Sequence, residues 1–342
     1  MQTFYYFCSK LFNYRAIDMN VFGDKWTFTS FGESHGAAIG GVLDGVPAGL
    51  HIDLDLINYE LDRRAARKRH VNDTETTRKR DVNDTVTEDA SYGTSTRAFR
   101  EPDEVEWLSG VMNGVTLGTP IAFIIRNKDA RPEDYEFLKH SYRVGHADKT
   151  YEQKYGIRDY RGGGRASARE TAARVVAGCI AKQQLAAKGI SIQAKLIQVG
   201  AETDPAKFAD TIEAYRQDGD SIGGIVECVI EGLPAGTGEP IFNKLQAELA
   251  FAIMSINACK GFEYGTGFGG VTQPGSAINH ISGGIAGGIA DGTPVTFRCV
   301  FKPTPSTPKA GVKGRHDACV ATRAVPVVEA MAALALANLV LS

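Results

Sequence analysis

The stretch RGGGRASARETAARVVAGCIAKQQLAAK (residues 161–188) passes from a glycine-rich, arginine-bearing segment into a largely apolar run. From Ala168 to Lys188, Ala172, Val175, Val176, Cys179 and Ala186 recur at helical spacing with Gln183 as the polar break, which predicts a helix fed by a loop. Further along, IVECVIE (225–231) sets Val226, Cys228 and Ile230 on one face and Glu227 and Glu231 on the other, the alternation of a half-buried strand. Leu245 to Ile256 and Val325 to Leu341 read as further amphipathic helices. Strands and helices mix without a regular βαβ rhythm, so an α+β fold is expected rather than a doubly wound sheet. No Pro/Ser-rich linker interrupts them, which favours one compact domain with long functional loops.

Composition narrows the function. The 342 residues are 43% hydrophobic and carry 38 basic against 40 acidic side chains, so a real core is expected and bulk binding to nucleic acid or a membrane surface is not. Glycine is over-used, at 38 residues against an ordinary ~7%. The six cysteines (Cys8, Cys179, Cys228, Cys259, Cys299, Cys319) show neither a CxxC pair nor metal spacing. They read as buried small hydrophobes of a reducing, cytoplasmic compartment, with no disulfide framework and no metal. No run reaches the ~18 continuous apolar residues of a membrane span. Residues 1–18 are aromatic-rich without a clean apolar stretch or cleavage site, and read as an extension ahead of Met19. Residues 63–97 open on a basic run that includes Arg63 and Arg64, and hold a repeat, VNDTET (71–76) and VNDTVT (82–87). That composition predicts an exposed polar loop, either a solvated insertion at about 68–97 or an anion-binding arm.

Three polar clusters lie among glycines: FGESHG (31–36), RVGHAD (143–148) and KGRHD (313–317). A histidine in a glycine-bounded loop can present its ring to a cleft, and its pKa suits proton transfer near neutrality. A fourth cluster, RGGGRASAR (161–169), stands where a helix begins, so backbone N–H groups and the forks of Arg165 and Arg169 would bind phosphate or carboxylate. The glycine tract 283–292, followed by KPTPS (302–306), fits either backbone passing close to a bulky ligand or tight packing. GTGFGG (265–270) matches the dinucleotide pattern G-x-G-x-x-G, but VTQPGS follows instead of a helix, so that reading fails. The residues alone point to an enzyme with an anionic, phosphorylated substrate and histidine acid catalysis.

Taken in order, GESHG (32–36) with LDGVP (43–47), the whole stretch 143–178, GDSIGG (219–224), SINACKGFEYG (255–265), NHISGGIAGGI (279–289), FKPTPS (301–306) and KGRHDACVATRAVPVVEAM (313–331) resemble chorismate synthase. The resemblance runs from about Met19 to the C-terminus and implies a single-domain β-α-β sandwich of antiparallel sheets and helices over 19–342, assembled as a homotetramer. It implies 1,4-anti elimination of phosphate from 5-enolpyruvylshikimate 3-phosphate to give chorismate, dependent on reduced FMN, with NADPH at most a reductant. The absence of a nicotinamide fingerprint leans toward flavin reduced elsewhere.

Carried over by position, the resemblance makes His35, with Ser34 beside it, the proton donor to the leaving phosphate. His146 falls near the flavin's pyrimidine end, Asp317 is the carboxylate that works in removing the C6 proton, and Ser167 is a second hydroxyl of the relay. Flavin contacts fall on Arg165, Ala166, Ser167, Asn257, Ala258, Gly287, Lys302, Pro303, Thr304, Pro305, Ser306 and Arg315, and substrate grips on Arg64, Arg143, Arg169 and Arg323. The sequence departs from the family where Val144, Ala166 and Ala318 replace proline, serine and proline, where RRAARKRH (63–70) replaces Arg-Arg-x-Pro-Gly, and where the loops near 276–278 and 307–313 are short. A homologue that binds flavin or anions but is impaired in catalysis is the competing reading.

Overall fold

The computed structural model describes residues 20–66, 101–312 and 316–341. The extension 1–18, the insertion at about 68–97 and Arg315 lie outside the described residues. In chain order the elements are β1 (Val21–Phe22), β2 (Thr27–Phe31), β3 (Ala38–Asp44), α1 (Leu54–Ala65), β4 (Val105–Ser109), β5 (Val111–Met112), β6 (Val115–Thr116) and β7 (Ile121–Arg126). Then follow α2 (Asp148–Tyr155), α3 (Thr171–Ala187), β8 (Ser191–Val199), α4 (Phe208–Gln217), β9 (Gly224–Glu231), α5 (Leu245–Met254) and β10 (Cys259–Tyr264). The short α6 (Gly275–Ile278), β11 (Ile285–Ala286), β12 (Ile289–Ala290), β13 (Val295–Phe301) and α7 (Ala321–Val340) complete them.

Two antiparallel sheets enclose a layer of helices. One has the strand order β1-β2-β3-β7-β4 and the other β10-β13-β9-β8. Three inner strands bury alternate residues: Ile121, Phe123 and Ile125 on β7, Val226, Cys228 and Ile230 on β9, and Val295, Phe297, Cys299 and Phe301 on β13. Side chains alternate across a pleated strand, so one face of each sheet packs inward while the other meets solvent. Helix α3 touches β2, β3 and β7 of the first sheet and β8 of the second, while α7 lies against β8 and β9 and against α1, α3 and α5. The result is a β-α-β sandwich of the α+β class.

Position within that layer explains how the elements differ from their sequence patterns. Helix α3 is buried nearly all round, from Ala172 through Ile180 to Leu185, because it has a sheet or a helix on each side. Its polar break is used: Gln183 Oε1 accepts the Asp53 backbone N–H at 2.8 Å, beside the start of α1. Helix α7 begins four residues before the expected Val325, so Pro326 lies inside it rather than at its head. Among the described residues α7 alone is long and apolar enough to cross a membrane, yet 78% of that window is buried inside the molecule, and Arg323 and Glu329 both hold ion pairs there. It is the central core helix. The basic run also needs correction at its start. Arg63 and Arg64 are not part of an exposed loop but the last turn of α1, where Arg64 is 1% exposed.

The helices are joined through a charged cluster as well as apolar contacts. Arg63 of α1 reaches Glu329 of α7 at 2.9 Å and Glu60 at 2.6 Å, and Lys182 of α3 meets Glu60 at 2.8 Å and Glu329 at 2.5 Å. Glu329 also accepts the Ala194 N–H of β8 at 2.9 Å. Burial opposes ionisation of Glu329, but Lys182 and Arg63 outweigh it and hold the carboxyl down at about 2.

Candidate active site

Helices α3 and α7 both start beside one cavity of about 440 Å³. Its wall is assembled from the loop after β2, the segment before α2, the glycine-arginine segment before α3, the turn before β10, the loop after β13 and the segment opening α7. Two helix N-termini bring the positive ends of their dipoles to the same opening.

His35 sits on the first wall and is 5% exposed. Its Nδ1 lies 3.1 Å from Ser34 Oγ, and the Tyr135 ring meets it edge-on at 4.7 Å between centroids. The backbone of the glycine-arginine segment closes against the other side. Gly162 has φ +60°, and a Cβ there would lie 2.0 Å from His35 Nδ1, so only glycine lets the chain pass. At Gly163, with φ +88°, a Cβ would stand 2.8 Å from Cε1 of His146 and 3.0 Å from Nη2 of Arg143. These glycines therefore serve close packing against two histidines.

Arg143 and His146 project from the segment leading into α2, and both answer to Asp148. Arg143 donates from Nε and Nη2 to Asp148 at 2.9 Å each, and His146 Nδ1 lies 2.9 Å from Asp148 Oδ1. Burial raises the Asp148 pKa, but hydrogen bonds from Arg143 and His146 overcome it and hold the carboxyl well below the usual carboxylate range.

Two further cations share a second acidic group. Asp103 accepts from Arg64 Nη1 at 3.1 Å and from Arg169 Nη1, so one carboxylate braces two cavity guanidinium groups from α1 and from the entry to α3. Arg64 further donates to Thr171 Oγ1 at 2.9 Å and to the Ala168 carbonyl at 3.0 Å. Burial, then the neighbouring Arg323, press its proton affinity below that of a free guanidinium group, and Asp103 opposes them. Arg323, in the first turn of α7, donates to Asp317 at 2.8 Å and to the Arg64 carbonyl at 3.1 Å. On the facing wall Lys302 reaches the Gly145 carbonyl at 3.2 Å, and Asn257 Nδ2 the Ala166 carbonyl at 3.1 Å. Ala258 holds φ +67°, a left-handed backbone costing an L-residue ~1–2 kcal/mol, while its carbonyl accepts the Lys302 N–H at 3.0 Å. Asn257 Oδ1 and Ser306 Oγ are buried with no hydrogen-bond partner among the described residues.

The structure thus brings Ser34, His35, Arg64, Arg143, His146, Ala166, Ser167 and Arg169 to one cavity with Asn257, Ala258, Lys302, Pro303, Thr304, Pro305, Ser306, Asp317 and Arg323. Two residues expected there do not line it. Arg165 turns the other way and donates to the Ser30 and Gly32 carbonyls at 3.2 and 3.1 Å, so the fork that joins Arg169 at the cavity is Arg64. Gly287 lies in the turn between β11 and β12, and its neighbour Gly288 packs against Glu239 and Lys244, which favours the packing role for that end of the glycine tract. The G-x-G-x-x-G match ends in a short 3-10 turn, Gly267–Thr272, consistent with its rejection.

Tyr135, Tyr151, Glu101 and His316 also line the cavity and were not assigned from sequence. His316 carried a signal, standing inside the cluster KGRHD. The tyrosines carried none, since an aromatic in a polar stretch looks the same whether it faces solvent or a site. Burial pushes the Tyr151 phenol above its ordinary value.

Comparison with known proteins bears on what such a cavity does. The family model described as chorismate synthase matches residues 26–88 and 78–341, two stretches that overlap on the second copy of the polar repeat. The chain is 45% identical to the chorismate synthase of Christiangramia forsetii over 93% of this chain and 96% of that one. It is 44% identical to that of Phocaeicola vulgatus, over 92% and 96%, and 44% identical to that of Methylobacillus flagellatus, over 93% of each. A crystal structure of chorismate synthase superposes with a TM-score of 0.69 at 28% identity, covering 94% of this chain and 92% of that one.

Proposed function

The chain belongs to the chorismate synthase family, and on that premise we propose that it is a lyase that eliminates phosphate from 5-enolpyruvylshikimate 3-phosphate in the 1,4-anti sense, with loss of the C6 proton, to give chorismate. The observation that carries the proposal is the convergence on one cavity of His35, His146, Asp317 and the guanidinium groups of Arg64, Arg143, Arg169 and Arg323. A substrate with a phosphate and carboxylates calls for that excess of positive charge, and forked arginines meet such groups in pairs of hydrogen bonds.

Each residue then has a part. Arg64 and Arg169, both paired with Asp103, are grips for an anionic group, as are Arg143 and Arg323. His35, fixed by Ser34, Tyr135 and the Gly162 backbone, is the proton donor to the departing phosphate. Asp317, whose Oδ2 accepts from Arg323 Nη1 at 2.8 Å, is the carboxylate that takes part in removing the C6 proton. Ser167 caps the turn that opens α3, its Oγ accepting the Arg169 N–H at 3.3 Å, and offers a hydroxyl in the proton relay.

The residues also fit reduced FMN. Asn257 Oδ1 and Ser306 Oγ are buried without partners among the described residues, and Lys302 stands beside them to meet negative charge. Ala166, Ser167, Ala258 and the 302–306 segment would hold the cofactor, with His146 beside them. Reduced flavin held by these residues would supply electron density to the substrate. The continuous apolar core supports reading residues 19–342 as one domain, and we propose a cytoplasmic homotetramer that draws its flavin reduced from elsewhere.

The test is anaerobic. Purified protein with dithionite-reduced FMN should release inorganic phosphate from the enolpyruvyl substrate, and should not do so with NADPH as sole reductant. Flavin binding without phosphate release would instead identify an impaired homologue.

A further inference from the structure

The reaction proposed above gives work to His35, His146 and Asp317 and leaves Asp148 with none. We propose that Asp148 is a positioning residue of this site: it fixes the His146 ring in the tautomer protonated on Nδ1, so that Nε2 is the nitrogen presented to whatever binds in the cavity.

Asp148 is the first residue of α2, is 3% exposed and does not line the cavity, whereas Arg143 and His146 do. Its Oδ2 accepts the Arg143 backbone N–H at 3.1 Å and Nε–H at 2.9 Å, and its Oδ1 accepts Arg143 Nη2–H at 2.9 Å. The same Oδ1 lies 2.9 Å from His146 Nδ1, which in turn lies 3.2 Å from Arg143 Nη2. Nδ1 can therefore either donate to the carboxylate or accept from the guanidinium group. Donation wins on three counts. The carboxylate contact is the shorter, its acceptor carries a full negative charge, and Nη2 already donates to Oδ1. A bare Nδ1 would also set its lone pair against a buried carboxylate oxygen, which costs free energy that solvent cannot return.

The ring has little freedom to escape this choice. Gly163 lies against it so closely that a Cβ there would stand 2.8 Å from Cε1 and 3.0 Å from Nε2. The hydrogen bonds that keep Asp148 ionised make it a standing acceptor, and an outer carboxylate that orients an imidazole in this way sets which ring nitrogen does the chemistry. The residues stand at i, i+3 and i+5 of RVGHAD, so one turn of backbone and one helix start hold the arrangement.

The experiment reads the ring directly. In protein labelled with ¹⁵N-histidine, two-bond ¹⁵N–¹H correlation spectra, with the His146 signal assigned by its loss in His146→Gln, should show Nδ1 protonated and Nε2 bare at a pH where the ring is neutral. Asp148→Asn, whose amide can donate to Nδ1, should move the proton to Nε2 and lower kcat ~10–100-fold, in line with other outer-shell partners, with KM less affected. A wild-type ring protonated on Nε2 overturns the proposal, and that measurement needs no variant. So does an Asp148→Asn protein whose ring pattern is unchanged, or whose kcat stays within about twofold of wild type. If wild-type protein releases no phosphate at all, the assigned reaction fails, while the ring spectra still decide the positioning role.

Discussion

At the scale of single residues, the cavity depends on backbone as much as on side chains. Gly162 and Gly163 hold left-handed conformations and leave room for the His35 and His146 rings. Gly162→Ala should therefore act on His35: we expect loss of turnover well beyond the ~1–2 kcal/mol of stability that a left-handed alanine costs, with phosphate-release kinetics and a melting curve on the same sample as the check. A variant losing stability but keeping wild-type kcat would show that the ring does not depend on that contact. His35→Ala and Asp317→Ala should lower turnover more than they weaken flavin binding, because their assigned work is proton transfer. Fluorescence titration of flavin beside steady-state kinetics separates the two, and equal losses would refute the roles. The sequence made His35 and His146 visible as histidines bounded by glycine. It could not show that the same glycine tract packs against both, because a tract beside a helix start reads equally well as an anion cradle.

At the scale of elements, α3 and α7 cross at Gly178 and Ala330 with no space between them: a Cβ on Gly178 would lie 2.4 Å from both Cα and Cβ of Ala330. Alanine gains up to ~1 kcal/mol in helix propensity over glycine, but here the overlap should dominate. Gly178→Ala should destabilise the protein by ~1–3 kcal/mol, read from urea denaturation, and a stabilised variant would mean the crossing can open without cost. Nearby, Glu329 ties all three of α1, α3 and α7 to β8. Buried ion pairs add little net stability over apolar packing, but removing one partner strands the others. Glu329→Gln should cost ~3 kcal/mol, at the low end of the usual range because Arg63 keeps 19% exposure and can reach water. Helix α3 was legible from its spacing, and α1 carried a comparable signal in Leu54, Ile57, Leu61 and Ala65 with Asp53 accepting the Leu56 N–H at its cap. The arginines at its end drew it into the polar loop instead, since a charge run is ordinarily solvated and only the pairing of Arg63 and Arg64 with Glu329 and Asp103 makes burial affordable.

At the scale of the whole molecule, these carboxylates set the response to acid. Glu329 drops from an ordinary 4.5 to about 2 on folding, and Asp148 and Asp159 are shifted in the same direction. A carboxyl depressed by folding contributes stability that is complete above its unfolded value and is lost as pH falls toward its folded one. Stability should thus be level above about pH 5 and decline between about pH 5 and 2, with Glu329→Gln flattening part of that decline; an unchanged slope in the variant would remove Glu329 as a cause. The sequence alone determined the α+β class, helices α3, α5 and α7 and the inner strand β9, and it offered the candidate groups for the chemistry, because hydrophobic period and residue type are local properties. Tertiary structure decided which cations share the cavity. Arg64 enters from α1 while Arg165 turns back to β2, since a guanidinium group goes where acceptors converge: Thr171 and the Ala168 carbonyl for Arg64 and the Ser30 carbonyl for Arg165 each lie more than a hundred residues away in the chain, and Asp103 lies 39 from Arg64.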